Sequence, residues 1–106
     1  MHERSMDTEA ILELLKAVRL RPTTPRVRIL RLLADGESRP ISSKDVYRIL
    51  LLRGMHISVP AVYRTMRELA DKGLVHGERG RRREARYRLG AEGLDATSRI
   101  RPVYWQ

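Results

Sequence analysis

Ser58-Val59-Pro60-Ala61-Val62-Tyr63-Arg64-Thr65-Met66-Arg67-Glu68-Leu69-Ala70-Asp71-Lys72-Gly73 is the stretch from which the fold is read. Serine is a strong helix N-cap, proline fits the first turn because its missing N–H would have no partner there, and glycine closes helices. The spacing therefore predicts a helix over 59–72. At about 100° per residue, Val62, Met66, Leu69 and Ala70 share one side with Thr65 at its edge, while Pro60, Arg64, Arg67 and Asp71 collect opposite, with Tyr63 on the flank. One side packs; the other exposes a ring and two guanidiniums.

On the N-terminal side, Ile11, Leu12, Leu14, Leu15 and Val18 recur at helical spacing, which predicts a first amphipathic helix from Thr8 to Leu20 that stops at Arg21-Pro22. Thr24 reads as the next N-cap with Pro25 in the first helical position, and a second helix follows. Its inward residues are Val27, Ile29, Leu30 and Leu33, Arg28 and Arg31 point outward, and Asp35-Gly36 ends it. Glu37 to Ile41 turns the chain. Ser42-Ser43-Lys44-Asp45 has the form of a capping arrangement ahead of Val46, Tyr47, Ile49, Leu50, Leu51 and Leu52, so a third helix runs to Gly54.

On the C-terminal side the period changes. Leu74-Val75-His76 and Ala85-Arg86-Tyr87-Arg88-Leu89 alternate as strands do, and 77–84 reads as the basic tip joining them. Helices followed by a hairpin predict a fold that is mainly α with a small β-hairpin, a winged helix-turn-helix over 1–90. Residues 91–106 form a tail without period that holds Tyr104 and Trp105.

Charge narrows the function. The 106 residues carry 22 Lys and Arg against 13 Asp and Glu, a formal charge of +9, and all of those cations except Lys16, Lys44 and Lys72 are Arg. A planar guanidinium pairs bidentately with phosphates and guanine edges, so double-stranded DNA is the expected partner. Arg79, Arg81, Arg82, Arg83, Arg86 and Arg88 crowd the hairpin, offset by Glu78 and Glu84, a density that repels itself without an anion. The plainer readings are a solvated helix face and a solvated loop. No cysteine is present, and His2, His56 and His76 share no helix face, so neither a metal site nor any other cofactor is expected. An enzyme is not expected either: the sequence has no Cys nucleophile, phosphate-cradling glycine loop or catalytic His arrangement. No apolar stretch resembles a signal peptide or membrane span, which makes the cytoplasm the expected location.

Four segments together, Leu20-Arg21-Pro22-Thr23-Thr24-Pro25-Arg26, Ile57 to Thr65, Gly73-Leu74-Val75 and Ala85 to Leu89, resemble the DNA-binding half of the ferric uptake regulator (Fur) family over about residues 12 to 89. The resemblance implies that Tyr63 and Arg64 contact bases and that Arg21 reaches toward the minor groove. It also implies a second domain that dimerises and binds metal. The sequence is expected to be the N-terminal winged-helix domain only, without that second domain. Ahead of the third helix, where the family often has a histidine ligand, this chain has Arg39-Pro40.

The function expected is a sequence-specific DNA-binding transcriptional regulator acting as a repressor. Helix 59–72 would enter the major groove, and the Arg-rich wing 77–84 would lie on the backbone or minor groove. Its DNA-binding residues are Arg21, Ser58, Pro60, Tyr63, Arg64, Arg67, Arg79, Arg81, Arg82 and Arg83. The alternative is a winged-helix interaction module that modulates a full-length relative or another protein, with only non-specific nucleic-acid affinity. A single winged helix buries on the order of 600 to 1,000 Å² on DNA, which discriminates weakly, so a homodimer through the tail or the first helix is expected. For the 106-residue chain, iron, manganese or zinc should leave DNA affinity unchanged, and a chelator should not shift the melting temperature. Tight stoichiometric metal in the purified protein would overturn this expectation.

Overall fold

The computed structural model describes residues 8–35, 39–79 and 84–89. Along the chain run α1 (Thr8–Ala17), α2 (Thr24–Asp35), β1 (Ile41–Ser42), α3 (Ser43–Leu52), α4 (Val59–Asp71), β2 (Val75–Arg79) and β3 (Ala85–Leu89). This is the expected winged helix-turn-helix, with one strand more than a hairpin. Gly36, the wing arginines Arg81, Arg82 and Arg83, and the tail 91–106 lie outside the described residues.

The first helix ends earlier than the proline suggests, at Ala17. Leu20 N–H donates to the Leu15 carbonyl (2.9 Å), Arg19 N–H donates to Lys16 (3.0 Å), and Arg19 takes φ 63°. That is a Schellman cap closed by a non-glycine residue, and it is tightened by Leu20 packing on the core that holds Leu15. The same device ends α3 at Gly54 (φ 81°), where Met55 N–H reaches the Leu50 carbonyl. It ends α4 at Gly73 (φ 80°), where Leu74 N–H reaches Leu69.

At the start of α2 the Thr23 carbonyl accepts from Val27 N–H at 3.0 Å, so Thr23 holds the cap position and Thr24 and Pro25 sit inside the helix. Ile29, Leu30 and Leu33 are buried as expected, Leu32 joins them, and Val27 is half-buried. In α3, Val46 and Leu50 are buried, whereas Leu51 and Leu52 are exposed by 42% and 86%. The apolar stripe of α1, made of Ala10, Ile11, Leu14 and Leu15, is buried in the chain's own core. This corrects the expectation that a second chain could share that stripe; Leu12, at 38% exposure, is the large apolar side chain left outside on α1.

The sheet order is β1-β3-β2, all antiparallel. Residues 37–41 were expected only to turn the chain, yet Ile41 and Ser42 pair with Tyr87 and Arg86 and place β3 in the middle. The hairpin is also longer than expected. β2 continues through Gly77, Glu78 and Arg79, so the tip shortens from 77–84 to the segment between Arg79 and Ala85. Gly77 stands opposite Tyr87, and a Cβ there would come within 3.0 Å of the ring's Cε2. Glycine breaks the alternation of side chains expected of a strand, and the Tyr87 ring takes the space a side chain would fill.

The three caps make a measurable set. An added Cβ at Gly54 meets nothing within 4 Å, so Gly54→Ala isolates the cost of positive φ and should destabilise the protein by about 1 kcal/mol in urea unfolding. Arg19→Gly should act in the opposite direction, by about 0.5 to 1 kcal/mol. Equal midpoints for both variants and the wild type would refute this account of the caps.

Candidate nucleic-acid interface

The site is built on α4. Ser58, extended at φ −65° and ψ 154°, accepts Ala61 N–H on its Oγ at 3.2 Å, and Pro60 occupies the first turn. Val62, Thr65, Met66 and Leu69 are buried, and α4 packs against α2, α3 and β2. Burying Val62, Met66 and Leu69 contributes about 1.5 to 3 kcal/mol each, which fixes the helix's rotation about its axis. The rotation leaves Pro60, Tyr63, Arg64 and Arg67 exposed, with Tyr63 45% accessible. Ser58 is exposed beside them, at the electropositive end of the helix dipole. Its hydroxyl oxygen accepts within the cap, so its proton stays free to be donated to an anion.

Arg21 is exposed in the link between α1 and α2. Sequence reasoning did not connect it to α4, but the structure does. Arg26, near the start of α2, donates Nε (3.3 Å) and Nη2 (3.2 Å) to Glu68 Oε1 on α4, and Nη1 (3.0 Å) to the Arg21 carbonyl. A guanidinium beginning one helix and a carboxylate distant in sequence have no spacing rule that would announce the pair.

On the sheet, His76 pairs with Arg88 and Glu78 with Arg86. Arg86 Nη2 also lies 3.8 Å from Glu84 Oε1, with both side chains largely exposed. Surface pairs of this kind contribute about 0 to 1 kcal/mol, so Arg86 is partly neutralised without adding much stability. Arg86 and Arg88 therefore belong to the strand stem. Arg79 ends β2, and Arg81, Arg82 and Arg83 fall between the described strands.

Among the described residues, no three His, Cys, Asp or Glu side chains come together to hold a metal. Asp35, Arg39, Pro40 and Arg53 rim an open depression of about 460 Å³ whose remaining lining is apolar, from Leu32, Leu33, Ile41 and Ile49. A single carboxylate beside two guanidiniums does not fit a metal centre. No described helix is long and apolar enough to cross a membrane.

A model of the ferric uptake regulator family matches residues 17–95, which take in everything from the end of α1 through β3. The chain belongs to that family. It is 41% identical over 61 residues to the ferric uptake regulation protein of Cupriavidus metallidurans, a stretch covering 58% of this chain and 43% of that protein. Its fold is similar to that of the Vibrio cholerae ferric uptake regulator, with a TM-score of 0.72 and 28% identity over 76% of this chain and 62% of that one. The Pseudomonas aeruginosa ferric uptake regulator, solved with manganese, gives a TM-score of 0.72 at 31% identity over 78% and 62% of the two chains. The chain spans less than half the length of the curated relatives it matches. Those Fur relatives are named for regulation and not for a reaction, in keeping with the absence of a catalytic constellation in the sequence.

Substitution at Ser58 can separate the observed cap from the anion contact expected of this residue. Ser58→Ala should cost about 1 kcal/mol of stability. Ser58→Asp still caps α4 and should stay within about 0.5 kcal/mol of wild type, yet weaken duplex binding about tenfold or more by placing a carboxylate against phosphate. A fully functional Ser58→Asp would remove this end of α4 from the interface.

Proposed function

We propose that this domain is the sequence-reading, DNA-binding part of a transcriptional regulator, and that it acts as a repressor by occluding its site. The observation that carries the proposal is the division of α4. Val62, Met66 and Leu69 lock one face into the core while Tyr63, Arg64 and Arg67 stand exposed behind a capped N-terminus. In the major groove Arg64 bridges guanine O6 and N7, and the Tyr63 ring meets a thymine methyl. Arg21 reaches the minor groove beside α4, and Arg79, Arg81, Arg82 and Arg83 neutralise backbone phosphate or enter the minor groove. Two copies on paired half-sites supply the discrimination that one winged helix lacks.

Selection from a random duplex pool at near-physiological salt tests the reading, and two variants separate its parts. Arg64→Ala should cost about 1 to 3 kcal/mol on the selected duplex and flatten base preference at one position. Arg82→Ala should weaken all sequences alike and lower the salt slope by about one. If Arg64→Ala weakens selected and random duplexes equally, α4 does not read bases, and the interaction-module reading takes its place.

A further inference from the structure

We infer that Arg26 is a positioning residue for DNA reading: it clasps the Arg21 arm to the recognition helix and keeps Glu68 from competing for Arg64. The inference rests on the function proposed above, and the geometry that carries it is independent of DNA.

The Arg26 side chain is 18% exposed, and its guanidinium serves two elements at once. Its Nε and Nη2 edge holds the Glu68 carboxylate, and its Nη1 holds the Arg21 carbonyl. That same carbonyl accepts Thr23 N–H at 2.9 Å. Two donors on one oxygen fix the peptide plane just after Arg21, and with it the direction in which the exposed Arg21 side chain leaves the main chain. Because the third group, Glu68, belongs to α4, the arm is set against the helix that carries Tyr63 and Arg64. A planar fork does this better than a flexible ammonium, since its donors point in fixed directions.

The second effect is electrostatic. Glu68 lies one turn after Arg64 and one turn before Lys72, at the spacing where helix side chains meet. Without Arg26, its carboxylate, 36% exposed, would be released to pair along α4 and would compete for the Arg64 guanidinium as well as for Lys72. With Arg26 in place that charge is occupied from the α2 side and Arg64 stays free. Asp71 poses no such problem for Arg64, being a full seven positions away.

The test is a double-mutant cycle on the duplex selected by the wild-type chain, read beside amide exchange of the free protein. Arg26→Met keeps the apolar stem and removes the donors. It should lose about tenfold in affinity, as should Arg21→Ala, and the double variant should lose far less than the product because one acts through the other. R26M/E68Q should recover part of the R26M loss, since the competing charge is gone. In the free protein, R26M should speed exchange at the Thr23 amide while R21A leaves it unchanged. Multiplying losses, with no recovery in R26M/E68Q, would overturn the clasp. A wild-type protein that selects no sequence refutes the function proposed above. The clasp is then judged on the free protein, where equal Thr23 exchange in wild type and R26M overturns it.

Discussion

The burial of one stripe of α4 is the constraint on which the rest depends. Val62, Met66 and Leu69 are fully buried, and Thr65 is nearly so. A helix docked by such a stripe has no freedom to roll, because a turn of about 100° would exchange Met66 for Arg67 in the core and strand a guanidinium without water. Which residues face outward is therefore decided by which face inward. The exposed positions of Tyr63, Arg64 and Arg67 follow from packing, before any ligand is considered. The surrounding elements supply the walls: α2 and α3 on the helical side, and β2, entered directly through Leu74, on the other.

What the sequence disclosed followed how local its causes were. Caps are local, so Ser42 accepting from Asp45 N–H and Ser58 accepting from Ala61 N–H were both legible, as were the glycine ends at Gly54 and Gly73. The buried stripe of α4 was legible because its period repeats over several turns. The end of α1 was not, since an arginine in the left-handed region is rare enough that the next proline looks like the natural stop. Leu32 escaped because a continuous Leu32-Leu33 pair blurs the helical period. Ile41-Ser42 is too short to show alternation, and Gly77 interrupts it in β2, so both depended on pairing with β3, which is a tertiary fact. For the candidate site the pattern is the same: the residues on α4 could be read from a wheel, and the Arg26 to Glu68 link could not.

Ser42 shows how the wing and the helices become one object. It is 2% exposed, it pairs with Arg86 across β1 and β3, and its Oγ caps the first turn of α3. Its extended backbone, φ −80° and ψ 158°, satisfies strand and cap together, because an N-cap residue is itself non-helical. The central strand of the wing thus begins beside the first turn of the helix that precedes α4. On its other edge β3 carries β2, which leaves α4 through the Gly73 cap. The hairpin is consequently tied to the helix-turn-helix at both its strands. Any rotation of the wing would have to break either the Ile41 and Ser42 pairing with β3 or the exit from α4. A hairpin held at one strand only would be free to sweep a wide arc. Held at both, strands 75–79 and 85–89 keep one direction relative to α4, so a few buried residues fix the frame from which the hairpin projects.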